Sequence, residues 1–171
     1  MSMIGETAMG PGDSVEDLFR REYPAMVGMA SILLGGSRAA AEDVVQEAFV
    51  RMLVRWPTVA DERAGGYLRT TVLNLARGRL RRERVAGREH RVLRLVTGGG
   101  TEDVAVAGDE HRRVMGALDG LPRRQRECAV LRYYLDYSEA EIAAALGVAA
   151  GSVKSHLSRA RSALSLALEG H

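Results

Sequence analysis

The sequence predicts an all-α protein made of two small helical domains joined by a flexible linker. Three observations carry this prediction. Apolar residues recur at three- and four-residue spacing in successive segments, and no segment alternates with period two for long enough to make a strand. Residues 85–108, dotted with Gly87, Gly98, Gly99, Gly100 and Gly108, lack an apolar face and interrupt the pattern. At 171 residues the chain can bury about two-thirds of its unfolded surface, and a balance of 46% apolar to 27% charged residues excludes wholesale disorder.

Residues 1–13 hold three glycines and a proline without periodicity and read as a disordered tail. Asp13 or Ser14 then caps a first helix, with Glu16 and Asp17 complementing its dipole. Its apolar stripe is Val15, Leu18, Phe19, Tyr23, Met26, Val27, Ala30 and Leu33, and Gly35-Gly36 stops it. A second helix starts near Ser37, turns Ala41, Val44, Val45, Ala48, Phe49, Met52 and Leu53 inward, and ends at Pro57. A third runs from about Gly66 into an arginine-dense end, completing a first domain over 14–84. After the linker, helical patterns at 109–119, 123–134 and 138–146 precede a long helix over about 151–168; the second domain is 109–168, with 169–171 as a tail.

Charge is distributed unevenly. Residues 61–94 carry ten basic and four acidic side chains, a net of +6, and residues 122–171 a net of +2, while the stretch between them is −3. Two basic modules around an acidic spacer fit a polyanion gripped at two places. The longest nearly apolar run, Ala25 to Leu34, is about half a bilayer crossing, and no basic residue precedes an apolar stretch at the start, so neither a membrane anchor nor a signal peptide is expected. Cys128, the single cysteine, has no bridge partner, lies on an apolar helical stretch and fits a reducing cytoplasm as a core residue; a redox-sensing thiol is the other reading. The four histidines are scattered, and no phosphate loop or metal signature appears, which argues against an enzyme.

The strongest local signal spans Ser138 to Arg159. Ser138 with Glu141 makes a capping box, Ile142 and Leu146 face inward, and Gly147 permits a left-handed turn into the next helix. There Val153, Leu157, Ala160 and Leu164 form the inward stripe, leaving Ser155, Ser158, Arg159 and Ser162 opposite, with Lys154 on the flank. Such donors suit purine edges and phosphates, so the face reads as that of a helix-turn-helix DNA reader; the same pattern also fits a plain helical hairpin with a solvated side. His156 flanks this helix within reach of a phosphate.

On the second helix Asp43, Gln46 and Glu47 project together, as an arginine-rich partner helix would require or a solvated surface would allow. The third helix ends with Arg77, Arg79, Arg81, Arg82 and Arg84, more guanidinium groups than the acids nearby can pair, and these favour phosphates. Asn74, one turn earlier, offers an amide to an unstacked base or bonds locally.

Taken together, Ala41-Glu-Asp-Val-Val-Gln-Glu-Ala-Phe49, Tyr67-Leu-Arg-Thr-Thr-Val-Leu-Asn74 and Ser138 to Arg161 resemble three signatures of the small extracytoplasmic-function σ70-type RNA polymerase sigma factors, in that family's order. The resemblance implies an alternative sigma factor whose N-terminal σ2-like domain docks Asp43, Gln46 and Glu47 on the coiled coil of the β′ subunit. It implies that Tyr67, Asn74, Arg77, Arg79, Arg81 and Arg82 capture melted −10 DNA. In the σ4-like domain it places Ser152, Lys154, Ser155, His156, Ser158 and Arg159 at the −35 element, with Arg132 near its backbone. The implied partners are core RNA polymerase through its β′ and β subunits, promoter DNA and an anti-sigma factor, with no cofactor, metal or small-molecule substrate. Ser158 and Tyr67 depart from the family's frequent residues, which bears on base preference. A stand-alone helix-turn-helix regulator is the rival reading, but it would need a dimer face, and no apolar stripe is left over for one.

Overall fold

The computed structural model describes residues 14–56, 64–86 and 108–169, and every regular element among them is helical. The helices fall into two compact units.

The first unit comprises α1 (Val15–Leu33), α2 (Arg38–Val54) and α3 (Ala64–Ala86), each packed on the other two. Ser14 is the cap of α1: its Oγ accepts from the Asp17 N–H at 3.2 Å, and its own N–H donates to Asp17 Oδ2 at 3.1 Å. These hydrogen bonds hold the Asp17 carboxyl below its ordinary range. The helix stops where sequence expects, because Gly35 and Gly36 take left-handed φ values of 70° and 85°. Ser37 caps α2, accepting from the Ala40 N–H at 3.3 Å. The core is closed by Leu18, Met26 and Met29 of α1, Val45 and Met52 of α2, and Leu68, Val72 and Leu73 of α3, all essentially inaccessible.

Two residues of the expected inward stripes are not inward. Leu53 is 50% exposed, because at 100° per residue it stands a full step round from fully buried Met52 and past the cover of the neighbouring helices. Phe19 is 39% exposed, its ring resting on those of Tyr23 and Phe49 at 4.6 and 4.7 Å between centroids. The third helix begins two residues before Gly66 and passes the expected domain edge at 84, since neither Val85 nor Ala86 breaks a helix. Pro57 and the linker residues 87–107 lie outside the described residues, as do the tails 1–13 and 170–171.

The second unit comprises α4 (Asp109–Asp119), α5 (Arg123–Ala129), a π-helical turn (Val130–Tyr134), α6 (Glu139–Leu146) and α7 (Ala150–Glu169). Arg126 joins α4 to α5, pairing with Asp119 Oδ1 at 3.0 Å and donating to the carbonyls of Asp119 and Leu121. Arg113 reaches across to the Leu168 carbonyl at 2.7 Å, a cation placed at the negative end of α7. The single helix expected over 123–134 changes gauge partway. The Leu135 N–H donates to the Val130 carbonyl at 3.3 Å, a five-residue step that lets Val130, Leu131 and Leu135 all turn into the core. Cys128 is fully buried, and burial with the adjacent Glu127 charge pushes its thiol up to about 11, so it stays protonated at neutral pH as a packing residue.

Candidate functional site

The helix-turn-helix is built from local chemistry. Ser138 Oγ accepts from the Glu141 N–H at 3.2 Å while the Ser138 N–H donates to Glu141 Oε2 at 2.7 Å, completing the predicted capping box and holding the Glu141 carboxyl below its ordinary range. Gly147 adopts φ +64°, and the Val148 N–H closes the turn on the Ala143 carbonyl at 3.1 Å. Ile142 and Leu146 of α6 and Val153 and Leu157 of α7 are buried, and Ala160 packs further along α7 against Leu121 and Ala129. Ser138→Ala should therefore lower the unfolding free energy by about 1 kcal/mol. It should raise the Glu141 pKa only part of the way, because the backbone N–H of residue 138, the larger cause of the lowering, remains; the cap's contribution, present at neutral pH and lost on acidification through the lowered pKa, should shrink, and chemical denaturation at several pH values checks both.

That packing leaves Ser152, Lys154, Ser155, Ser158 and Arg159 exposed along the outer side of α7. His156 is different: it is half-buried, and its Nδ1 is enclosed without a hydrogen-bond partner, so it meets this face less openly than the sequence implied. Arg132 is exposed, but it also has a structural task, donating from Nη1 to the Tyr137 carbonyl at 2.9 Å and tying the π turn to the segment entering α6.

On the first unit Asp43, Gln46 and Glu47 all stand on one side of α2, where Gln46 is fully in the solvent-facing row with Glu47 and Asp43. Sequence reasoning missed that the stripe continues as apolar surface through Val50, Leu53 and Val54, which are 58%, 50% and 79% exposed. The signal was available in their spacing of seven, ten and eleven residues from Asp43. Glu47 pairs along the helix with Arg51 at 2.6 Å, leaving Gln46 and Asp43 at the stripe's open end.

On α3, Asn74 is exposed and Tyr67 half-buried, with Arg81 and Arg82 exposed beyond them and Arg77 half-buried. Arg79 is not a free cation as the sequence implied. The fold brings it to Asp43 of α2 at 3.5 Å, and Glu83 one turn on holds it at 3.3 Å. The expected partner-binding and nucleic-acid-binding patches thus touch through one ion pair. Among the described residues no cluster of His, Cys, Asp or Glu could hold a metal ion, and no helix is long and apolar enough to cross a membrane.

An acidic helix face and an arginine-rich helix on one unit, with a helix-turn-helix on another, are the features of a protein that meets a basic partner and a nucleic acid. Residues 18–85 match the family described as Sigma-70 region 2, and residues 111–164 match Sigma-70, region 4. The RNA polymerase sigma-E factor of Streptomyces coelicolor is 34% identical over 153 residues, covering 89% of this chain and 84% of that protein. The ECF RNA polymerase sigma factor SigL of Mycobacterium tuberculosis is 30% identical over 153 residues, with 86% and 85% covered. The solved structure of CnrH in complex with the cytosolic domain of CnrY aligns at a TM-score of 0.63 and 26% identity over 91% of this chain and 88% of that one. The sigma factor RpoE of Bartonella quintana, solved with the anti-sigma factor NepR, shares the fold at a TM-score of 0.63 and 22% identity, over 90% and 98%. The chain belongs to the extracytoplasmic-function (ECF) group of RNA polymerase sigma factors, alternative sigma factors that direct transcription.

Proposed function

We propose that the two units act as the σ2 domain, over 14–84, and the σ4 domain, over 109–168, of an initiation factor working in the cytoplasm without a catalytic centre or small-molecule substrate. Asp43, Gln46 and Glu47 dock on the β′ coiled coil, with Val50, Leu53 and Val54 continuing the contact, and the second unit meets the β subunit. Tyr67, Asn74 and the arginines 77, 79, 81 and 82 hold melted −10 DNA. Unpairing costs a few kcal/mol and base stacking returns about 1–3 kcal/mol per base, so trapping succeeds only while polymerase keeps α3 on the strand. Ser152, Lys154, Ser155, Ser158 and Arg159 read the −35 element, with His156 and Arg132 toward its phosphates. Because a sigma factor of this fold is solved with the anti-sigma factor NepR, an anti-sigma partner is part of the proposal.

The observation that carries the reading is the row of exposed donors on α7, held outward by buried Val153, Leu157 and Ala160. Run-off transcription with purified core polymerase on genomic fragments tests it. The chain should confer promoter-specific initiation, and Arg159→Ala should relax −35 preference at a cost of about 1–3 kcal/mol. Initiation that is equally strong without the chain, or specific DNA binding that ignores polymerase, would favour a stand-alone regulator.

A further inference from the structure

The first unit encloses one charged pair that none of the surfaces above uses. Glu22 of α1 is 5% exposed, and both its carboxylate oxygens accept from Arg69 Nη2 of α3, at 3.2 and 3.4 Å. Arg21 flanks the pair at 3.7 Å. The carboxylate also lies against the first turn of α3, where a Cβ placed on Gly65 would come within 3.7 Å of Glu22 Oε1, so the negative charge sits near the positive end of the helix. Arg69 Nε is enclosed with no hydrogen-bond partner, so this guanidinium is held by its Nη2 contacts to a single carboxylate.

Apolar contacts tolerate small slides and rotations, whereas a desolvated charge pair is satisfied in one geometry, and setting register is its best-attested use. At 100° per residue, Tyr67, Asn74 and Arg81 lie within about 40° of one another, while Arg69 lies roughly 140° away from Asn74 on the opposite side. The pair therefore grips α3 from behind the side that faces DNA. With outer side chains about 6 Å from the helix axis, a rotation of roughly 20° carries them about 2 Å, and a displacement near 1 Å is enough to cost a positioned contact most of its effect.

We propose that Glu22 and Arg69 are positioning residues for promoter opening: their buried pair fixes the rotation and start of α3, and hence the aim of Tyr67 and Asn74. The proposal rests on the assignment of α3 to −10 DNA. The test uses the full chain with core polymerase and follows melting temperature, core affinity and promoter opening by permanganate reactivity. Arg69→Met, which strands the buried carboxylate, should lower both melting temperature and opening. Glu22→Gln combined with Arg69→Met removes both charges. It should recover most of the melting temperature and keep core affinity within about twofold, yet still open the promoter about tenfold less well. Arg69→Lys, which can still donate to both oxygens, should open within about threefold of the parent. If opening in the double variant recovers along with its melting temperature, or if a folded Arg69→Lys opens as poorly as the double variant, the positioning role is overturned. Asn74→Ala run in parallel separates the two ideas. A loss of opening there with a normal double variant sinks the positioning role alone, whereas normal opening in Asn74→Ala removes the α3 assignment and the proposal with it.

Discussion

Asp43→Lys is expected to abolish stable binding to core polymerase while leaving the protein folded. The side chain is 70% exposed, and its one contact across the fold is the ion pair with Arg79 at 3.5 Å, worth at most about 1 kcal/mol at such exposure. Stability should therefore change little. At an interface with a basic helix the reversal is severe: a favourable pair becomes a repulsion at the open end of the α2 stripe, on the side of the helix that continues as Val50 and Leu53. A cost of about 2–5 kcal/mol is usual for such a change, a loss of thirtyfold or more in affinity. Gel filtration or anisotropy with labelled protein reads the loss, and a circular dichroism melt checks the fold. Co-migration of the variant with core enzyme at parental concentration would remove the acidic face from the interface.

The second large effect is expected from alanine at Arg77, Arg79, Arg81 and Arg82 together. Each phosphate deprived of its arginine should flatten the dependence of log K on log salt by about 0.7–0.9, and promoter opening at moderate salt should fall by about a hundredfold or more with core affinity retained. The four positions should not contribute equally. Arg81 and Arg82 are exposed, whereas Arg79 must leave Asp43 and Glu83 before it can serve a phosphate, so its single variant should be mildest. A protein that only binds polymerase, without touching DNA, would initiate normally with all four replaced.

What can be read from the sequence is what is local. The Ser138–Glu141 box, the Gly147 turn and the α7 stripe each depend on residues within a few positions of one another, and the fold realises them at those positions. Periodicity says which residues share a side of a helix but not where a neighbour's cover ends, which is why it turns Leu53 and Phe19 inward when the fold does not. Pairings between distant segments are out of its reach. Glu22 meets a residue 47 positions away, and Arg79 one 36 positions away, with no pattern linking them in the chain. Glu127, only 1% exposed, is an intermediate case, because its partners Arg123 at 2.9 Å and Arg124 at 3.0 Å precede it by four and three residues; two arginines aimed at an acid beside Cys-Ala are a readable sign of an interior ion pair. The change of gauge after Ala129 also has a trace, the five-residue step from Val130 to Leu135 between apolar positions.

That step has a bearing on how the protein tolerates insertions and deletions. A π turn holds one residue more than the α-helix around it, so deleting a single residue from 130 to 134 would let the backbone close as an uninterrupted helix, but Val130, Leu131 and Leu135 could no longer all turn into the core. Everything downstream would then leave that helix about 100° out of phase, and Lys154 and Arg159 would point elsewhere relative to α5. The sequence encodes not only which side chains face outward but a count, and a miscount of one would cost the second unit its packing together with its aim.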